Sequence, residues 1–250
     1  MNSLAALPQP RRRARPRRRP PGAAHQPVWL FDLDNTLHHA SHAIFPAINQ
    51  AMTQYIMDSL QIERSAADHL RTHYTQRYGA TLIGLARHHP VDPHDFLRQV
   101  HTFADLRSML RSERGLARLL AALPGRKIVL TNAPEAYARD VLAELGIARL
   151  FERVIAIEHM QGRGRWRAKP DLAMLRHALR EARVPMADAV LVEDTRGHLK
   201  RYRRLGLRTV WIVGHLPFHS RAAGVAARLP GTGRPHYVDR RIHSLKSLRA

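Results

Sequence analysis

Two aspartates, Asp32 and Asp34, stand two residues apart in Phe31-Asp32-Leu33-Asp34-Asn35-Thr36-Leu37, at the end of an apolar run. Three further segments also sit at element boundaries: Leu130-Thr131-Asn132-Ala133-Pro134, Lys169-Pro170 and Val192-Glu193-Asp194-Thr195. Together they offer carboxylates that can move protons or ligate a hard cation, a hydroxyl beside backbone donors, and one ammonium. Such groups act jointly only if the fold brings them to one place.

The apolar patterning supplies the elements that would do so. Val28–Asp32, Lys127–Thr131, Arg153–Ile157, Ala189–Glu193 and Arg208–Val213 are short runs rich in Val, Ile and Leu without polar alternation, as parallel strands buried on both faces require. Helical patterns over Glu135–Leu145, Asp171–Arg183 and Arg196–Leu205 separate the later runs, and Gly146 and Gly206 fall where C-terminal caps belong. Strands alternating with helices predict an α/β fold, a Rossmann-like open parallel sheet whose ligands bind beyond the C-terminal strand ends. All four polar segments lie at such ends or at the start of a helix.

One connection is too long for a simple crossover. About ninety residues without strand pattern separate the first run from the second. Ile44, Ile48, Met52, Tyr55 and Ile56 share one helical stripe, and Leu70, Tyr74 and Tyr78 recur every fourth residue. The expected organisation is therefore a core of residues 27–37 and 118–215 with an α-helical cap inserted over 38–117. Residues 1–26 read as a disordered basic tail, broken by prolines, and 216–250 carry too little periodicity to assign.

Composition excludes several classes. The 250 residues include no cysteine, which removes disulfides, thiolate nucleophiles and Cys-ligated metal sites. No run is long and apolar enough for a membrane span, and an apolar secretory h-region is absent, so the expected location is cytoplasmic. The formal charge is +21, and only four of the 41 basic residues are lysine. Seven arginines crowd into the first 26 residues; the rest are spread through the chain. A diffuse positive field attracts phosphate esters as readily as nucleic acid, so charge alone does not choose between them.

The four motifs, in this order and spacing, resemble the haloacid dehalogenase superfamily of phosphotransferases. Within it, Leu70-Arg71-x-x-Tyr74-x-x-x-Tyr78-Gly79-x-Thr81-Leu82-x-Gly84-Leu85, together with Asp92-Pro93-x-Asp95-Phe96-Leu97 and Val100-His101, is similar to the cap of pyrimidine 5′-nucleotidases. The resemblance implies a Mg²⁺-dependent phosphomonoester hydrolase. Asp32 would be the nucleophile, and Asp34 the general acid and then base. Thr131, with the amides of Asn132 and Ala133, would hold phosphoryl oxygens, and Lys169 would neutralise developing charge. Asp32, Asp34 (through its carbonyl), Asp194 and Glu193 form the implied metal set. His38, Tyr74, Tyr78, Thr81 and His101 are candidate substrate contacts, and His198 replaces the asparagine frequent in the family.

Physical reasons support these roles. A carboxylate attacks a phosphate dianion poorly because both are negative, so a divalent cation with oxygen ligands is expected. Forming an aspartyl-phosphate splits one hard displacement into two easier ones. Asp34 has an ester oxygen to protonate in a phosphatase but none in a dehalogenase, which favours phosphate transfer to water. The expected partner is a small phosphorylated substrate, first a pyrimidine nucleoside monophosphate, alternatively phosphoglycolate or a sugar phosphate. A reading of another class, an inactive phosphatase scaffold that binds nucleic acid through arginines, is weakened by the low aromatic content (6%), which offers few stacking platforms. The His38, His39 and His42 cluster and the basic Gly162–Trp166 loop are more economically a chance grouping and a solvated loop.

Overall fold

A computed structural model describes residues 26–162, 164–216 and 234–249. The basic segment expected to form a tail lies, up to residue 25, outside the described residues, as does Arg163 of the basic loop. Six parallel strands form one sheet: β1 (Val28–Phe31), β2 (Arg126–Leu130), β3 (Arg153–Ile155), β4 (Ala189–Glu193), β5 (Arg208–Ile212) and β6 (Arg240–Ile242), in the order β3-β2-β1-β4-β5-β6. This is the open α/β sheet expected from the sequence.

Alternation along β1 explains how both faces are filled. Trp29 and Phe31 join Val129, Val190 and Val192 on one face, while Leu30 joins Ile128, Leu130 and Leu191 on the other. The first face is covered by α6 (Leu116–Ala121) and α7 (Glu135–Glu144), the second by α8 (Leu172–Glu181) and α9 (Arg196–Arg203), through Leu120, Val141, Leu175 and Leu199 among others. Each fully buried side chain of this kind contributes about 1.5–3 kcal/mol.

Register decides where the chemistry sits. Phe31 pairs with Val129 on one side and Val192 on the other. The ladder continues one residue further, Asp32 N–H donating to Val192 O at 3.0 Å and Thr131 N–H to Ile155 O at 3.0 Å. Three adjacent strands, β1, β2 and β4, thus end within one residue of one another, and the residues that follow them are Asp32, Thr131 and Asp194. The order reverses at β1, so the crevice lies where an open sheet binds ligands.

Between β1 and β2 the chain is helical: α1 (Ile44–Leu60), α2 (Arg64–Tyr78), α3 (Thr81–His88), α4 (Pro93–Val100) and the short α5 (Leu106–Met109) precede α6. The first four pack on one another around Tyr55, Ile56, Tyr74, Leu85, Phe96 and Leu97. Among the described residues no helix is long and apolar enough to cross a membrane.

Gly84 lets α3 lie against α2. A Cβ there would come within 2.1 Å of Tyr74 Cγ. Gly84→Ala is therefore expected to destabilise the protein by about 1–3 kcal/mol, read by thermal or urea denaturation. A loss under about 0.5 kcal/mol would show that the ring yields freely.

The C-terminal segment, left unassigned by the sequence, supplies β6. Arg240 pairs with Val210 and Ile242 with Ile212, while Val238, Leu245 and Leu248 are buried. Glu113, just before α6, accepts from Ser244 Oγ at 2.6 Å and Leu245 N–H at 2.9 Å, fastening this end to the body. Residues 217–233 lie outside the described set.

Candidate active site

Asp32 leaves β1 with its side chain at the floor of a cleft of about 450 Å³ between sheet and cap. Its Oδ1 receives the Leu33 N–H at 2.8 Å and the Lys169 ammonium at 2.7 Å. Lys169 is almost wholly buried and also donates to Glu193 Oε2 at 2.9 Å. His198 Nδ1 lies 3.2 Å from that same oxygen, and Thr195 N–H donates to Glu193 Oε1 at 3.1 Å. Both oxygens of Glu193 are thus engaged in holding the lysine and the turn into α9.

The lysine is held by its backbone as well. Asn132 Oδ1 accepts the Lys169 N–H at 2.7 Å, and Asn132 Nδ2 donates to Lys169 O at 3.3 Å across the cis Lys169–Pro170 peptide. The Asn132 side chain therefore positions Lys169. Thr131 Oγ1 accepts the Ala133 N–H at 3.0 Å, so that amide is already paired within the turn.

Electrostatics divide the carboxyls. Burial, then the neighbouring Glu193, raises Asp32 well above the usual carboxylate range despite the opposing pull of Lys169. Burial and Glu193 likewise push Asp194 up to about 8. Burial also works against ionised Glu193, but Lys169 and His198 outweigh it and hold this carboxyl low. For Lys169, burial opposes the charge, and Asp32 with Glu193 more than restores it. Three carboxyls against one ammonium leave the site short of positive charge. One oxygen from each of Asp32, Glu193 and Asp194 lies within 4.8 Å of the others, spacing and chemistry that fit a hard divalent cation.

Asp34 turns away from this cluster. Its Oδ1 lies 2.9 Å from His38 Nε2 and accepts the Tyr137 hydroxyl at 2.8 Å. Burial would raise its pKa, but the hydrogen bond and charge of His38, with Tyr137, outweigh this and lower it. Asp34 nonetheless lines the cleft, as do Thr131, Asn132 and Asp194.

The substrate-contact expectations divide. Thr81 and His101 line the cleft. His38 does not: it is completely buried behind Asp34, because the chain doubles back in a bridge between Asp34 and His38, making it a partner of the carboxyl. Tyr74 is spent on packing against Gly84, its hydroxyl 2.8 Å from His89 Nε2. Tyr78 lies in a separate groove, its hydroxyl 2.7 Å from His88 Nε2 and its ring under Arg87. The fourth-residue recurrence of these tyrosines marks the interface of α2 with α3, and their placement corrects the expectation of contact with substrate. Tyr137, which the sequence reading overlooked, stands in the first turn of α7 directly after the Thr131 segment, a position that could have flagged it.

Comparison with known proteins bears on the family and the fold. A family described as haloacid dehalogenase-like hydrolase matches residues 28–200. Phosphate metabolism protein 8 of Saccharomyces cerevisiae is 26% identical over 193 residues, covering 72% of this chain and 59% of the yeast protein, so this chain spans well under two thirds of that relative's length. Similar solved structures include a HAD phosphatase from Thermococcus onnurineus (TM-score 0.59, 18% identity) and CbbY from Rhodobacter sphaeroides in complex with phosphate (TM-score 0.59, 22% identity). Each covers 89% of this chain and 96% of its own, and at such identities the likeness establishes the fold.

Proposed function

Because the chain belongs to the haloacid dehalogenase-like hydrolase family, its match extending over residues 28–200, we propose that it hydrolyses phosphate monoesters through a phosphorylated Asp32 with Mg²⁺ bound. The observation that carries this reading is the meeting of Asp32, Lys169 and Asp194 at the floor of one cleft, over the buried Glu193 and with Asp34 on the wall. Asp32 and Asp194 would hold the cation, with the Asp34 carbonyl, and Glu193 contributes chiefly by fixing Lys169. A bound Mg²⁺ supplies the charge neutralisation that lets a carboxylate approach a phosphate.

The residues then divide the work. A carboxylate oxygen of Asp32 forms the new bond to phosphorus as the ester P–O bond breaks. Thr131 and Lys169 hold the phosphoryl oxygens whose charge grows. Asp34 protonates the departing oxygen, the proton entering with the monoanion of the ester. It then accepts a proton from the water that attacks phosphorus; the P–O bond to Asp32 breaks and restores its carboxylate, and the proton leaves with the released inorganic phosphate. His38 and Tyr137 stabilise the anionic form of Asp34 and so favour the base half of this cycle.

The substrate inferred from the cap sequence is a pyrimidine nucleoside 5′-monophosphate; the alternative is another small phosphate ester, the structural neighbour CbbY having been solved with xylulose-(1,5)bisphosphate. The test is release of inorganic phosphate from UMP, CMP, AMP, phosphoglycolate and ribose 5-phosphate, with Mg²⁺ and after chelation. Mg²⁺-dependent turnover that favours UMP and CMP is expected. Equal turnover of all esters would remove the pyrimidine preference, and no turnover of any would remove the phosphatase reading.

Tyr137 gives a pH test. Tyr137→Phe removes one of the two donors on Asp34, so the carboxyl pKa rises and the base form disappears at higher pH. The acidic limb of kcat, which includes the hydrolysis half of the cycle, should move up by about half to one unit, the worth of one hydrogen bond. A limb that does not move would separate Asp34 from the proton transfer.

A further inference from the structure

The cap side of the cleft carries a donor that the catalytic scheme leaves unused. Phe45, Ile48, Asn49 and Met52 occupy one stripe of α1 and all line the cleft; three of the four are apolar. Asn49 is exposed, yet its amide is not free to turn. Arg71, from α2, donates Nη1–H to Asn49 Oδ1 at 2.9 Å. A guanidinium has only donors, so the amide must present its oxygen to Arg71 and its NH₂ elsewhere.

Arg71 is fixed in turn. Its Nε donates to Thr53 Oγ1 at 3.1 Å and its Nη2 to Asp68 Oδ1 at 3.3 Å, while the Thr53 hydroxyl donates to Asp68 Oδ1 at 2.6 Å. The charge of Arg71 is therefore met by Asp68, and its geometry is set by both α1 and α2. The result is an oriented pair of N–H donors on an otherwise apolar wall. No hydrogen-bond partner for Asn49 Nδ2 occurs among the described residues.

The charge of the lining narrows the ligand further. Although the chain has 41 basic residues, the lysine and arginine side chains of the described cleft lining reduce to Lys169, which Asp32 and Glu193 already engage. Nothing on the α1 wall matches a second phosphate or a carboxylate.

We infer that Asn49 is a specificity-determining residue: its amide donates to a carbonyl or ring-nitrogen acceptor on an uncharged, flat leaving group, and Arg71 is the positioning residue that aims it. This rests on the phosphatase reading and deepens it. A leaving group of this kind uses the apolar stripe for its faces and Asn49 for its edge, whereas a bisphosphate finds no countercharge there.

The experiment compares kcat/KM for UMP, which carries acceptors on its base, with that for ribose 5-phosphate, which has no base. Asn49→Ala should lower the UMP-to-ribose-5-phosphate ratio about tenfold, mainly through KM for UMP, as loss of one well-placed hydrogen bond does. Asn49→Asp is the sharper variant. It keeps the size and the bond to Arg71, so the cap stays folded, but it has no donor; the ratio should fall at least as far. Arg71→Met should lower the ratio through KM with kcat for ribose 5-phosphate little affected. Binding of UMP to an Asp32→Asn background, with and without Asn49→Asp, gives the same comparison without turnover. An unchanged ratio in Asn49→Asp, or equal loss on both substrates, overturns the assignment while phosphate release by the wild type keeps the phosphatase reading. No release by the wild type from either ester overturns both.

Discussion

Asp32→Asn should reduce phosphate release by at least about 10³-fold while the protein stays folded. The amide matches the carboxylate in shape but offers no comparable nucleophile, so the phosphorylated intermediate cannot form. Stability should hold or increase, and this direction follows from the site itself. Burial together with Glu193 disfavours ionised Asp32. A neutral side chain there removes repulsion with Glu193 and Asp194, and Lys169 keeps its bond to Glu193. Phosphate assay and thermal denaturation of the same preparation check both parts. Turnover near that of the wild type would take the nucleophile role from Asp32, and a large loss of stability would show that the Lys169–Asp32 pair supports the fold more than the chemistry.

Lys169→Met should do the opposite to stability. Removing an ammonium bonded at 2.7 and 2.9 Å to two buried carboxylates leaves both without their cation. Breaking a buried pair in this way costs about 3–5 kcal/mol, and loss of the positive charge on the phosphoryl group should lower kcat by about 10²–10³-fold. The two effects can be separated. The double variant Lys169→Met with Glu193→Gln should regain much of the stability, since the remaining amide tolerates burial, without regaining activity. Additive losses of stability would mean that the two residues do not act as a pair.

The sheet was legible because parallel strands buried on both faces leave uninterrupted apolar runs. Observed β4 spans Ala189–Glu193 as read, and β1 and β5 stop one residue short of their expected ends. β6 was hidden because it is three residues long and reads Arg-Arg-Ile; an edge strand keeps charge where a central one cannot. The convergence of Asp32 with Glu193-Asp194 follows from strand ends and register, information that spacing carries, while Lys169 comes from the loop before α8, where Asn132 holds its backbone. Partner choice was not legible. That His38 turns back onto Asp34, or that Tyr137 joins it from α7, depends on loop geometry and on contacts between residues 103 positions apart. Likewise, a tyrosine every fourth residue marks a buried helix face but does not say which neighbour it meets, and Gly84 supplied that answer for Tyr74.

Gly79, at the end of α2, touches the body at one sensitive point. A Cβ on it would fall 2.6 Å from the carbonyl oxygen of Lys169. The turn between α2 and α3 is therefore geared to the peptide that carries the ammonium, and changes that thicken or shift this turn will be felt in the reaction itself. The wall made by α1 has no such linkage described to the lysine. Over evolutionary time new leaving groups should be recruited by drift along α1, with the α2–α3 corner held still as the fulcrum, and a laboratory library aimed at altered selectivity would do best to diversify the first and spare the second.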